Sequence, residues 1–151
     1  MYKCEIKDQQ KITILSIRIK TSIQRLQEEL NKALNSIQQY LKELKEIPAG
    51  PPCAIYYNSD MENLDIEIGF PVSKKIDDRL NIKLSEIPAG KTATCLHIGP
   101  HNEIEFAYRT LTRWIEDRGF EPTGVTYEFY LNDPQSTPPQ ELETLVVFPI
   151  T

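Results

Sequence analysis

The stretch Tyr127-Glu128-Phe129-Tyr130-Leu131-Asn132-Asp133-Pro134 holds the residues best suited to chemistry. In a strand, alternate side chains share a face. Thr126, Glu128 and Tyr130 then line one side, and Val125, Tyr127, Phe129 and Leu131 the other. The chain has a formal net charge of -5 and no Lys/Arg-rich run to neutralise the carboxylate. A carboxylate beside a phenol in such a chain suits a pocket for a lipophilic or cationic small molecule.

Other candidate chemistry is weaker. His97 and His101 are four apart, a spacing that binds zinc on a helix. Gly99-Pro100 lies between them and breaks any helix, so no metal site is expected. Cys4, Cys53 and Cys95 are an odd, widely spaced set without a Cys-x-x-Cys pair, and read as free thiols in a reducing cytoplasm. No glycine-rich phosphate loop or Gly-x-Ser-x-Gly elbow occurs, and no cofactor is expected. Nucleic-acid binding draws on neutralised phosphates, and the acidic balance argues against it. No run approaches the roughly 20 apolar residues of a membrane span, so a cytoplasmic location is expected.

The elements that must hold these residues follow from periodicity. Ile12 to Ile19 is strand-like, and Tyr2 to Ile6 forms a short strand before it. Ile23, Leu26, Leu30, Ala33, Leu34, Ile37, Leu41 and Leu44 then recur at spacings of three and four, which predicts a long amphipathic helix. Thr21 or Ser22 is its expected N-cap, and Pro48 and Gly50 end the run. Cys53–Tyr57 and Leu64–Phe70 read as a hairpin, and Ser73 to Leu80 as a polar linker. In the second half, Lys91 to Ile98 is strand-like. A helix carries Ile104, Ala107, Tyr108, Leu111, Trp114 and Ile115 and ends at Gly119. Val125–Leu131 and Leu142–Phe148 are the last two strands.

The halves repeat. Gly50, Tyr56 and Asn58 fall on Gly124, Tyr130 and Asn132 at a constant offset, and Phe70-Pro71-Val72 matches Phe148-Pro149-Ile150. Residues 1–151 therefore read as one α+β domain with pseudo-repeat halves at about 1–72 and 80–151. Each half is a β-α-β-β unit. The expected architecture is one antiparallel sheet with two helices on a face and a ligand cleft on the pseudo-two-fold. Ala54 is the counterpart of Glu128, so one half supplies a small residue and the other a carboxylate. The string Glu-Ile-Pro-Ala-Gly also occurs twice, at 46–50 and 86–90, but precedes different strands and is not the repeat.

The segment 127–134, followed by Thr137-Pro138-Pro139, resembles the hallmark of GyrI-like small-molecule-binding domains. Gly99-Pro100, the helix with Tyr108 and Trp114, and Glu121-Pro122-Thr123-Gly124 fit the same pattern in order. The resemblance covers essentially the whole chain and is more specific in the second half. It implies the duplicated β-α-β-β fold, found as the effector-binding part of multidrug-responsive transcription activators and as free-standing proteins. It also implies that Glu128 is the acidic residue of the cleft, facing cationic or polar parts of ligands. Some free-standing members hydrolyse cyclopropane-containing genotoxins, and others are associated with gyrase inhibition. The activators carry a helix-turn-helix before the module. Here the module begins near residue 1, so no nucleic-acid contact through this chain is expected. The position after Gly99-Pro100 is often aromatic in the family and is His101 here.

The expected ligand-binding set is Glu128, Tyr130, Tyr56, Trp114, Tyr108, Phe106 and Ala54. Tyr56 and Tyr130 could instead be cross-strand packing with phenol tips in water. Trp114 and Tyr108 share a stripe with Ile104 and Leu111 that also suits a core. Phe106, off that stripe, faces the cleft or a partner. Three functions stay open. The first is a binding module for small lipophilic or cationic molecules, serving sensing, sequestration or resistance. The second is a hydrolase of cyclopropane-type electrophiles, with Glu128 as general base and Tyr56 or Tyr130 as donor. The third is a protein-interaction regulator such as a gyrase modulator. The lack of a strong catalytic constellation leans away from an enzyme.

Overall fold

The computed structural model describes residues 2–151. The fold is α+β. Its strands are β1 (Cys4–Gln9), β2 (Ile12–Thr21), β3 (Cys53–Tyr56), β4 (Leu64–Pro71), β5 (Lys83–Ile87), β6 (Gly90–Ile98), β7 (Thr126–Tyr130) and β8 (Glu143–Pro149). Its helices are α1 (Leu26–Glu43) and α2 (Glu105–Asp117). Single 3-10 turns occur at Ile23–Arg25, His101–Glu103 and Pro139–Glu141. Among the described residues no helix is long and apolar enough to cross a membrane.

The chain forms two compact units. One is residues 11–88, and the other joins the N-terminal strand to residues 89–151. In the first, the strands run β3-β4-β2-β5, all antiparallel. In the second they run β7-β8-β6-β1, also antiparallel. The registers repeat. Ile17 lies opposite Ile68, and Cys95 opposite Val146, with both positions displaced by 78 residues. Ala54 opposite Ile68 becomes Glu128 opposite Val146.

The edge strands are arranged differently from the sequence expectation. β1 precedes β2 in the chain but pairs with β6, so Cys4 lies opposite Cys95. β5, which the sequence reading left unassigned, fills the equivalent edge beside β2. The expected linker is likewise tied down. Ile76 and Ile82 are buried, and the Tyr40 hydroxyl donates to the Asp77 carbonyl at 2.8 Å.

The eight strands belong to one antiparallel sheet, and each unit's four strands pack their helix through alternate residues. In the first unit, α1 buries Leu26, Leu30, Ala33, Ile37 and Leu41, and it contacts β4 and β2. Leu, Gln, Glu, Lys and Ala dominate α1 and favour the helical state. In the second unit, Ala107, Leu111 and Ile115 of α2 meet Ala93, Cys95, Val146 and Phe148. The other sheet face is also buried, at Thr94, Tyr127 and Val147.

The helix ends depart from expectation at one point and match it at another. Ser22 is extended, but its hydroxyl makes no capping bond. The Ile23 amide instead donates to the Met61 carbonyl at 2.8 Å. Both helices close with the same pair of bonds. Gly119 donates to Glu116 and Phe120 to Ile115, just as Lys45 donates to Lys42 and Glu46 to Leu41. This closure needs a left-handed residue. Gly119 meets the need at φ 81, whereas Lys45 is forced to φ 57. α1 therefore ends at Glu43 and is closed by Lys45, ahead of the Pro48 and Gly50 that the sequence suggested.

Two substitutions test this backbone account in opposite directions. Lys45→Gly relieves the left-handed strain and should stabilise by about 1 kcal/mol. A Cβ on Gly69 would meet the Leu15 carbonyl oxygen at 2.3 Å and Ser16 Cβ at 2.9 Å. Gly69→Ala should therefore destabilise by roughly 1–3 kcal/mol. Urea unfolding midpoints at constant slope read both, and a stabilising Gly69→Ala would contradict the close β2–β4 approach.

Candidate functional site

Glu128 is buried, with 2% of its surface exposed. A lone carboxylate in that position costs several kcal/mol unless donors satisfy it. Three donors do so, from three segments. His101 Nε2 lies 2.9 Å from Oε1 and donates, because a carboxylate only accepts. Tyr130, two residues along the same strand face, donates its hydroxyl to Oε1 at 2.9 Å. Tyr108 on α2 donates a short hydrogen bond to Oε2. His101, Tyr108 and Tyr130 are each half-buried, so the site reaches the surface through its donors. Among the described residues, no Lys or Arg pairs with Glu128; its only ion-pair partner is His101.

The strand alternation read from the sequence brings Glu128 and Tyr130 together on the α2 side of the unit. Helical spacing puts Tyr108 one turn before Leu111, at the edge of the core stripe. His101 arrives from the turn after β6. Gly99 at φ 141 starts that turn, and the amide of Gly99 donates to the Leu142 carbonyl at 2.8 Å. His97 then braces the turn. Its Nε2 lies 2.9 Å from the Pro100 carbonyl and must donate there. In that tautomer, Nδ1 is free of a proton and accepts from the Tyr2 hydroxyl at 2.9 Å. His97 therefore serves the turn and His101 the carboxylate.

Phe106 and Trp114, also expected at the site, are not among the donors to Glu128. Phe106 is 56% exposed, with the Arg109 guanidinium 5.4 Å from its ring centre. Trp114 packs partly against the α2 core, and Arg118 covers its ring at 3.8 Å. Ala54 and Tyr56 belong to β3 in the other unit, opposite Ile68 and Ile66. A shallow groove of about 310 Å³ runs beside Tyr108, lined by Arg109, Thr112, Arg113 and Glu116.

A second buried carboxylate was not anticipated. Glu67 on β4 is 6% exposed and accepts from Ser16 and Tyr57, each at 2.6 Å. Arg18 lies 4.0 Å over the Tyr57 ring and forms a two-pronged bridge to Asp65. The alternation Asp65-Ile66-Glu67-Ile68 looks like a half-solvated strand, so nothing in the sequence marked Glu67. Among the described residues no buried side-chain nitrogen or oxygen lacks a partner.

The charges follow from these contacts. Burial is the strongest influence on His101 and opposes its protonation. The hydrogen bond to Glu128 and that residue's negative charge together outweigh it, so the His101 pKa lies above the usual histidine value. Burial pushes the Cys53 thiol up to about 12, with the Glu67 charge adding to it. Burial does the same for Cys95, also to about 12, with Cys4 adding. The three cysteines are free thiols, and these two are poor nucleophiles.

With this geometry in hand, the comparisons with known proteins are direct. The GyrI-like small molecule binding domain matches residues 2–151. The chain belongs to that family. No match was found among curated proteins. Among solved structures, the EcmrR–DNA complex matches with a TM-score of 0.81 at 23% identity, covering 99% of this chain and 57% of that one. The chain thus spans little more than half of that EcmrR chain. The EcmrR C-terminal domain alone matches with a TM-score of 0.78 at 22% identity, covering 100% of this chain and 98% of that one. A structure of SAV2435 bound to tetraphenylphosphonium matches with a TM-score of 0.71 at 9% identity, covering 99% and 94%. At these identities the likeness is one of fold. The GyrI-like assignment agrees with the resemblance in residues 127–139.

The His101–Glu128 pair gives a pH signature of stability. A group whose pKa is raised on folding stabilises most below its unfolded value. That contribution fades as pH rises through the folded value. The stability gap between wild type and His101→Gln should therefore be largest below about pH 6.5 and shrink as pH rises through the raised folded value. Chemical unfolding at several pH values reads this, and a gap that widens with pH would contradict the pairing.

Proposed function

We propose that this GyrI-like domain binds small lipophilic cations, with Glu128 as counter-ion and the rings of Tyr108 and Tyr130 as aromatic walls. The observation that carries the reading is a buried carboxylate with no Lys or Arg partner among the described residues. Such an anion favours a positive ligand, and phenol rings add about 0.5–2 kcal/mol of cation–π attraction. SAV2435, of the same fold, has been seen with tetraphenylphosphonium, a lipophilic cation of this class. Binding of this kind serves sensing, sequestration or resistance. The EcmrR–DNA complex supports a link to regulation through DNA-reading parts beyond the portion matched here.

Hydrolysis is a weaker fit to the geometry. Hydrolases from Listeria innocua share the fold at 15% identity. In this chain both oxygens of Glu128 already accept hydrogen bonds. Three of its roughly four lone-pair sites are taken, which leaves little room for an attacking water. A counter-ion needs no free lone pair, because it can keep its phenol donors while facing a cation.

Titration calorimetry with tetraphenylphosphonium and with neutral triphenylphosphine oxide tests the reading. Glu128→Gln should weaken the cation about 10–100-fold, which is about 1.4–3 kcal/mol. The neutral compound should change by less than about 3-fold on the same scale. Equal losses for both would reject Glu128 as a charge-selective anchor.

A further inference from the structure

Glu128 is 2% exposed, so a cation can approach it only where one of the three donors that cover it moves aside. The three donors are not equivalent. Tyr108 and Tyr130 are neutral, and their rings can lie against a cation while their hydroxyls still donate. His101 alone among them can carry a positive charge of its own. It sits on a one-turn helix rather than on a strand or a long helix. Its side chain is 31% exposed, so it has solvent to turn into. The backbone beneath it is braced by the His97–Pro100 bond, so rotation of the side chain suffices.

We infer that His101 is the resident counter-ion of Glu128, and that a cationic ligand binds by exchanging with it and releasing its proton. This inference rests on the reading of Glu128 as the cation anchor and adds how the site is regulated. The exchange is a simple proton balance. Imidazolium leaves the carboxylate, the ligand cation takes its place, and the imidazolium proton passes to buffer. No covalent bond in the ligand changes.

The groups facing His101 support the coupling. From β7 come the Glu128 carboxylate and the edge-on ring of Tyr130, with ring centres 6.0 Å apart. From α2, Tyr108 shares the same carboxylate. On its own turn, Glu103 Oε2 would lie 3.7 Å from a Cβ built on Gly99. Glu128 thus holds His101 protonated to a higher pH than usual, against the opposing effect of burial. A ligand cation removes that partner and adds a like charge, so the His101 pKa falls in the complex. Between the two values, binding expels a proton and affinity rises with pH, by at most about tenfold per unit. Below the complex's value the ligand must displace a charged imidazolium. Above the free value it displaces a neutral ring, and affinity levels off.

The test is calorimetric titration of the whole chain with tetraphenylphosphonium from about pH 5.5 to 9, in buffers of differing ionisation enthalpy. The expected result is a Kd that falls several-fold as pH rises, with up to one proton released per ligand. Triphenylphosphine oxide should give a flat profile. His101→Gln, which keeps a neutral donor, should bind the cation with a flat profile and release no proton. If wild type binds the cation with constant Kd and no released proton, the exchange is overturned while the Glu128 reading stands. If His101→Gln keeps the wild-type slope, the proton belongs to another group and the exchange is overturned. If folded wild type, verified by circular dichroism, binds no cation at any pH, the Glu128 reading fails and the exchange falls with it.

Discussion

The burial of one negative charge organises the second unit. A carboxylate at 2% exposure is tolerable only where donors meet it. Here the donors come from the turn after β6, from α2 and from β7 itself. Each of those segments is fixed by something else. The turn is braced by His97, which in turn holds Tyr2. α2 is fixed by Ala107, Leu111 and Ile115 in the core. β7 is fixed by pairing with β8. Hydrogen bonds therefore lead from Tyr2 through His97 to the Pro100 carbonyl, and the next residue along the backbone, His101, bonds Glu128.

The two units share a scaffold but differ in where they bury acid. Glu128 sits on β7 on the α2 side, and its register counterpart is Ala54. The first unit's buried acid is Glu67, on β4, and it lies on the sheet face that also carries Ser16, since Ser16 pairs with Gly69 and Arg18 with Glu67. Ile66 and Ile68 point the other way. The loop chemistry meanwhile is common to both. Asn58 accepts from the Asp65 amide and donates to the Asn63 carbonyl, while Asn132 accepts from Glu143 and donates to Glu141. Asn is suited to such turns because its amide mimics the backbone. The turn that aims the strands was kept in both copies while the residues on them diverged.

This division explains what could be read from the sequence. The α+β class, the duplication and the pairing of Glu128 with Tyr130 rest on short-range periodicity and on repeated Tyr56, Asn58, Tyr130 and Asn132, which a linear string displays. β5 was missed because Lys83-Leu84-Ser85-Glu86-Ile87 is short and half polar, as an edge strand tends to be. The edge arrangement of β1 was missed because pairing partners 90 residues apart leave no local trace. Glu67 was missed because alternating Asp65 and Glu67 suggest water on that face, and burial of both faces is a tertiary fact. His101 drew notice only as a departure from an aromatic position; its partnership with Glu128 depends on the Gly99 turn bringing residues 27 apart into contact.

If Glu128 holds a cation as proposed, the site must also solve its own ligand-free state. An anion left without donors in a dry setting would cost more than most single contacts return. Phenols alone satisfy hydrogen bonding but leave the negative charge in place. An imidazole satisfies both, because it can donate and become positive where a carboxylate holds its proton. The same pairing that stabilises the ligand-free unit must then be undone by the ligand. Under the proposed exchange, the affinity would be the difference between two counter-ions for one carboxylate. A lysine at this position would remain charged across physiological pH and hold the carboxylate more firmly, since its ordinary pKa lies near 10.4. On the proposed reading, histidine ties the exchange to pH, so a change in pH alters which cation Glu128 prefers.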